Sequence, residues 1–401
     1  MNSYLSRNFL KLWIGQTVSM FGSQLGEAGL RYSALLLLAA GPQQLSWLTA
    51  AALLPVLLLS LPAGVWVDRL RRRPLLIAAD LGRALILVTL PLLFVLGQLR
   101  MELLYVLAAA LSALSVLFDT AYHSFVPSVV NREQLVQANS RLSISEALTE
   151  TAGPTLGGLL VQVLSAPFAV LADAFSFLVS ALAIWKISVA EVAQPITIRS
   201  SIFTELGEGL RFLLSDARLR AILGCTMTHT LGGGVFYALY DLYLIRELGY
   251  TPVLVGFTIS LGGFGSLLGA FLAAPIARAL GIGRTLIVAQ FAFSLSNLLV
   301  PLASGPIAVT LPLLMLSQFG DLCYVIYAIH ETSLRQAIIP ERLLGRVAST
   351  FTLLTTATLM LGALAGGAIA SLWGARMALS VAVLIGLMSS VWLLASPLRR
   401  G

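Results

Sequence analysis

Charge is what this chain has least of. Lys, Arg, Asp and Glu make up 11% of its 401 residues, where a water-soluble domain carries roughly 25%. That is too little polar surface to be wetted on all sides, which excludes a soluble globular protein. Cysteine is nearly missing. Cys225 and Cys323 sit in apolar segments about a hundred residues apart, so neither a disulfide framework nor a thiolate metal site is expected. The three histidines, His123, His229 and His330, form no HExxH pair. No GxSxG, paired-aspartate or GxxxxGK[ST] motif occurs, which disfavours an intramembrane enzyme and an ATP-driven pump. No metal and no cofactor is expected. The net charge of +7 is no nucleic-acid signature, because charges in membrane proteins sort by side rather than by total.

What the chain does have is long apolar runs. It is 58% hydrophobic, with a mean hydropathy of +0.91. A membrane span needs about 20 apolar residues, and the sequence reads as twelve. The first six cover about 9–39, 44–67, 74–97, 101–126, 139–163 and 166–187. The second six cover about 219–245, 253–279, 284–303, 307–331, 346–372 and 375–396. Turn residues such as Gly41-Pro42, Pro74, Ala166-Pro167 and Gly305-Pro306 punctuate the joins. The first run is too long for a signal-peptide core and is expected to stay as a span.

The basic residues give the orientation. With both ends inside, inner loops and ends hold 20 Lys or Arg and outer loops three (Arg100, Arg246 and Arg376), while Arg31 and Arg83 lie within spans. Such asymmetry puts both termini in the cytoplasm. A shift of 209 residues lays the chain's punctuation on itself. Gly15 falls on Gly224, Arg69 on Arg278, Gly153 on Gly362, and Gly157-Gly158 on Gly366-Gly367. Two equal bundles, 1–187 and 219–401, are therefore expected. The connector 188–218 alternates Leu206, Leu210, Phe212 and Leu213 with Glu205, Glu208 and Arg211, an amphipathic pattern expected to lie on the inner leaflet. A large duplicated unit in a membrane protein points to two bundles rocking about a site between them.

After the second span comes GVWVDRLRRRP, Gly64 to Pro74. It resembles the loop 2–3 signature of the major facilitator superfamily, G-x-x-x-D-R-x-x-R-R. Gly64 takes the glycine position, Asp68 the acid, and Arg69, Arg72 and Arg73 the basic positions. Arg71 replaces the family's second glycine. The resemblance implies an all-α polytopic fold of twelve helices in two pseudo-symmetric six-helix bundles. It also implies a cytoplasmic gate in which Asp68 sits at the start of the eleventh span, near Arg346, and Asp119 pairs with Arg72. In the fifth span, Gly153-Pro154-Thr155-Leu156-Gly157-Gly158 resembles the core of the antiporter signature of drug exporters, without its upstream glycines. NREQLVQAN (131–139), DAFSFLVSAL (173–182) and RQAIIPERLLGRV (335–347) are similar to a bacterial branch that includes enterobactin and macrolide exporters.

In that fold spans 1, 4, 7 and 10 line the central cavity. An ionisable group deep in a span costs several kcal/mol unless paired or wetted, and is a functional candidate for that reason. Glu27, Asp321 and Glu150, in that order, are the expected proton-coupling carboxylates. Glu27 and Arg31 share a helix face at i,i+4 spacing and also suit a structural pair. Arg31, His229, Tyr237, Tyr240, Gln318, Tyr324 and Tyr327 are the expected cavity side chains. Many proton antiporters carry an Arg in the outer half of the fourth span, but Tyr105 to Val116 holds no charge here.

The reading is a monomeric exporter of amphipathic or apolar small molecules, such as a drug, a siderophore or a macrolide-like compound. It would lie in the bacterial plasma (inner) membrane and run by proton antiport. A lipid or lysolipid flippase of the same fold is the alternative.

Overall fold

The computed structural model describes residues 6–131, 134–188 and 202–400, without the side chains of residues 65, 68, 202, 203 and 400. Its described residues form helices and no strands. In the first half of the sequence these are α1 (Arg7–Tyr32), α2 (Pro42–Arg69), α3 (Arg72–Val95), α4 (Met101–Val129), α5 (Leu135–Leu164) and α6 (Ala166–Trp185). The connector carries α7 (Ile202–Ser215). The second half holds α8 (Ala217–Leu242), α9 (Pro252–Leu280), α10 (Ile282–Ser296), the short α11 (Leu299–Leu302), α12 (Ile307–Gln318), α13 (Asp321–Ile338), α14 (Glu341–Trp373) and α15 (Ala375–Leu394).

Among the described residues, nine segments are long and apolar enough to cross a membrane, with α10–α11 and α12–α13 each counting as one. The long helices α1, α5 and α8 fall on the other three expected spans and are more polar, carrying side chains such as Gln16, Gln24, Glu27, Glu146, Glu150, His229 and Asp241. Large apolar side chains face outward, among them Leu85, Phe175, Phe271 and Leu372 at 66–79% exposure. That surface would aggregate in water and suits hydrocarbon. The chain is an all-α polytopic membrane protein.

The duplication is visible in the geometry. α6 and α15 start at 166 and 375 and end at 185 and 394, 209 residues apart at both ends. Each is preceded by a left-handed residue, Ser165 (φ 68°, ψ 157°) and Gly374 (φ 85°, ψ 160°). One π-helical turn follows α1 (Ser33–Leu37) and another follows α8 (Tyr243–Glu247). α1 packs on α5 and α6, as α8 packs on α14 and α15; α3 meets α4 and α6, as α10 meets α13 and α15.

The chain divides into two compact units. The first holds Met1–Ala40, Ala51–Ile198 and Thr251–Phe257; the second holds Gly41–Ala50, Arg199–Tyr250 and Thr258–Gly401. The start of α9 thus belongs to the first unit and the start of α2 to the second. In the first, Phe9, Leu12, Leu76, Phe118, Phe125 and Ile184 form a dry core. In the second, Leu219, Ile222, Leu286, Tyr327, Val347 and Leu393 do so.

Glycines set how closely the helices approach. In hydrocarbon no hydrophobic force drives helices together, so contact area between small residues has to. Gly15, Gly22, Gly26 and Gly29 of α1 lie against α6, where a β-carbon would strike Ala183, Ser176, Asp173 and Val170. Gly224 and Gly232 of α8 lie likewise against Trp392 and the Ala382 carbonyl of α15. Gly153 and Gly157 of α5 meet Gln24 and Ala28 of α1, and Gly362 and Gly366 of α14 meet Leu231 and Val235 of α8. Gly158 rests on Pro252 and Val253, and Gly367 on Gln43 and Ser46. Residues 43 and 252 are again 209 apart.

α7 docks on α14, with Gly209 against the Arg346 carbonyl and Thr350. The Arg346 guanidinium pairs with Glu208 and lies 4.0 Å from Glu205. The amphipathic pattern thus covers protein; 189–201 lie outside the described residues. Asp216 caps α8, accepting from the backbone N–H of Arg218 at 2.7 Å and of Leu219 at 3.4 Å. The Arg218 side-chain hydrogen bond, followed by those backbone bonds, holds the Asp216 carboxyl below its ordinary 3.8. A lowered folded-state value means the cap contributes above the unfolded value and is lost as pH falls through the folded one. Asp216→Ala is expected to cost about 1 kcal/mol at neutral pH and nothing in acid, read by thermal denaturation in detergent at both pH values.

Candidate functional site

Each unit places polar side chains in an apolar setting. In the first unit, Arg31 on the last turn of α1 donates from Nη2 to Glu27 Oε1 at 3.1 Å. The i,i+4 spacing makes the pair, and half of the Glu27 side chain stays exposed. Glu150 is exposed on α5, one turn from Glu146.

Below α1 lies a cavity of about 660 Å³ walled by α1, α4 and α5. Gln16, Asp119, His123, Asn139 and Glu146 give it a polar lining. Asp119 faces this space, where its charged neighbours are Arg83 and His123. The expected partner does something else. Arg72 donates to the Ser124 carbonyl at 3.0 Å, and its neighbour Arg73 donates to the carbonyls of Ile184, at 3.2 Å, and Trp185. Arg73 therefore caps the end of α6, where the last carbonyls favour a cation, and Arg72 binds a carbonyl near the end of α4. Gly64 and Arg69 lie at the end of α2, Arg69 exposed; the Asp68 side chain lies outside the described residues.

Behind the cavity wall is a cluster that sequence reading passed over. Asp80 of α3 and Asp173 of α6 are 0% and 1% exposed, and Arg83 is 4% exposed. Arg83 pairs with Asp80 and stands 4.1 Å from the ring centres of both Phe118 and Phe177. Ser176 donates to Asp173 Oδ1 at 3.1 Å. The signal was present: Asp80 and Arg83 are i,i+3 in an apolar run, and a buried ionisable residue in a span is a candidate wherever it falls.

In the second unit Gln318 closes α12 and donates to the Tyr240 hydroxyl of α8 at 2.8 Å. Asp321 follows at the first position of α13, where the helix dipole favours an anion. Gly262 of α9 lets both Gln318 and Asp321 come close. The expected tenth span is thus two helices broken at Phe319-Gly320. One turn along, Tyr324, Phe293 and His229 cluster in edge-on and tilted contacts, with centroids 5.2–5.7 Å apart. His229 Nδ1 lies 3.2 Å from the Gln290 amide and borders a cavity of about 140 Å³. Tyr237 is exposed at 41%, whereas Tyr327 is 3% exposed and shares a hydrogen bond with Thr226. The structure brings together Tyr240, Gln318 and Asp321, and separately His229 and Tyr324, while Tyr327 belongs to the core.

A protein-family model described as transmembrane secretion effector matches residues 3–401. The uncharacterised MFS-type transporter YfiS of Bacillus subtilis (strain 168) is 27% identical over 404 residues, 96% of this chain and 93% of that protein. The multidrug efflux pump Tap of Mycolicibacterium fortuitum is 25% identical over 351 residues, 84% of this chain and 83% of the pump. Among solved structures, a bacterial homologue of the iron transporter ferroportin, inward-facing, superposes with TM-score 0.75 at 19% identity, covering 97% of this chain and 98% of that one. The nucleoside transporter NupG gives 0.74 at 13% identity, covering 97% and 98%. At such identities the two structures share the fold.

Proposed function

The chain belongs to the transmembrane secretion effector family of the major facilitator superfamily, and from that premise we propose that it exports amphipathic or apolar small molecules by proton antiport. It works as a monomer in the bacterial plasma membrane, with both termini in the cytoplasm. The observation that carries this reading is the match of the family model along residues 3–401; the resemblance to an efflux pump over 84% of the chain supports the proposed cargo class.

The site chemistry supports it. Tyr324, Phe293 and His229 offer ring faces to an apolar cargo, and Tyr240 and Gln318 offer hydrogen bonds that orient it. Glu27, paired with Arg31, is the first candidate to exchange a proton for cargo; Asp321 and Glu150 follow. A cargo that displaces Arg31 from Glu27 would couple its binding to this ion pair. The ligand shifts the protein only through its different affinity for the two states. Gly64, Asp68, Arg69, Arg72, Arg73 and Asp119 form the cytoplasmic gate. Gly153, Pro154, Gly157 and Gly158 supply the helix packing that resembles antiporters.

Transport in proteoliposomes under an imposed pH gradient tests this. Glu27→Gln is expected to abolish gradient-driven accumulation while cargo still binds. Undiminished accumulation in that variant moves the coupling site to Asp321 or Glu150. Movement of labelled lipid, with no transport of soluble amphiphiles, would establish a flippase instead.

A further inference from the structure

We propose that Asp80 and Asp173 together hold one proton across Arg83, forming a buried proton site in the first unit that exchanges through the Asp119 cavity. The charge count points to it. Two carboxyl groups and one guanidinium meet in a region with almost no solvent, at 0%, 1% and 4% exposure. With both acids ionised the cluster carries a net −1, and an uncompensated charge in such a setting is strongly disfavoured. One proton removes that charge.

Hydrogen bonding places the proton. Arg83 binds Asp80 through Oδ1. Asp80 Oδ2 is buried and meets no geometric hydrogen-bond partner among the described residues, with the Ser180 hydroxyl beside the carboxyl, and Arg83 Nε is also without one. A carboxylate oxygen without a donor in a dry site is the position a proton takes. Asp173 receives a single side-chain bond, from Ser176, and feels the charges of both Arg83 and Asp80. It is the second place the proton can reside. Phe118 and Phe177 on either side of Arg83 keep the guanidinium from following the proton.

The surroundings supply one route. From α4 comes Asp119, within electrostatic reach of Asp80 and Arg83 and open to the 660 Å³ cavity, with His123 one turn on. From α6 come Ser176, beside Asp173, and Ser180, beside Asp80. α1 presents Gly22 and Gly26, whose missing side chains leave room for the Asp173 carboxyl. α5 brings Glu146 to the cavity and leaves Glu150 exposed elsewhere. A proton arriving from the cavity binds Asp119, passes to Asp80 and from there to Asp173, and leaves the same way; no bond other than O–H forms or breaks. The site deepens the proton-coupled reading above and rests on it for its use in transport.

Infrared difference spectroscopy of the full-length protein in nanodiscs, with isotope-labelled aspartate, reads the proton itself. Wild type is expected to show a protonated aspartate carboxyl at neutral pH. The band should survive Asp119→Asn, Asp241→Asn and Asp321→Asn, and disappear in Asp80→Asn or Asp173→Asn. Should the buried variants fail to fold, survival of the band in a triple variant lacking Asp119, Asp241 and Asp321 decides for the site. Absence of a protonated aspartate in wild type, or its loss in the Asp119, Asp241 or Asp321 variants, overturns the proposal. A band that passes these tests in a protein without gradient-driven export removes the antiport reading and leaves the proton site standing.

Discussion

Replacing Arg83 by methionine is expected to destabilise the protein by about 3–5 kcal/mol, the usual cost of stranding a buried charge by deleting its partner. Methionine roughly fills the guanidinium's place between Phe118 and Phe177, so lost packing contributes little. What remains is Asp80 and Asp173 facing each other in a dry interior without a counter-charge. Two signs separate this from a general packing defect. The deficit should shrink as pH falls, because protonated carboxyls need no cation. Adding Asp80→Asn and Asp173→Asn to Arg83→Met should recover most of the loss, since the stranded charges are then gone. Thermal denaturation in detergent across pH reads both. An Arg83→Met protein that melts like wild type at neutral pH would show that the cluster is not held by charge.

Gly362→Val is expected to cost about 3 kcal/mol, near the top of the usual overpacking range, and to stop transport. A β-carbon at 362 meets the carbonyl of Leu231, which belongs to the backbone of α8 and cannot rotate away. Relief requires α8 and α14 to move apart along a seam that also contains Gly234 and Gly366. Gly233→Ala is the matched control. Its β-carbon would lie 3.9 Å from Leu359 Cδ1, an ordinary contact, and a shift within ~0.5 kcal/mol is expected. Equal effects of the two substitutions, in stability and in transport, would show that helix approach is not what glycine provides here.

The seam was readable in advance because the repeat fixed it. Gly153 and Gly157 fall on Gly362 and Gly366 at the 209-residue offset, and each pair packs on the matching helix of its unit. The span ends were equally plain where turn residues mark them, as at α6 and α15. The tenth span read as one helix because Phe319-Gly320 interrupts the backbone without interrupting the apolar run. The connector's amphipathic stripe was legible, but the surface it covers was not: a stripe fits lipid and the flank of α14 alike.

The Glu27–Arg31 ion pair was legible because its charges stand out locally at i,i+4 spacing. Site residues were obscure where partners come from distant segments. The family resemblance implies a pair of Asp119 with Arg72. Packing gives Arg72 to the Ser124 carbonyl and puts Asp119 beside Arg83. Asp80 and Asp173 were passed over because spans 3 and 6 do not line the cavity in the family fold. Tyr327 sat on a cavity helix by sequence, yet its own rotation about the helix axis buries it, which spacing alone could not settle.

Uphill movement of cargo tests the exporter reading most directly. Purified protein in sealed proteoliposomes, given a fluorescent amphiphile and an imposed pH gradient, should accumulate the dye only while the gradient lasts and release it when a protonophore is added. Accumulation that ignores the gradient, or a gradient that moves no amphiphile through functional protein, would contradict proton-driven export.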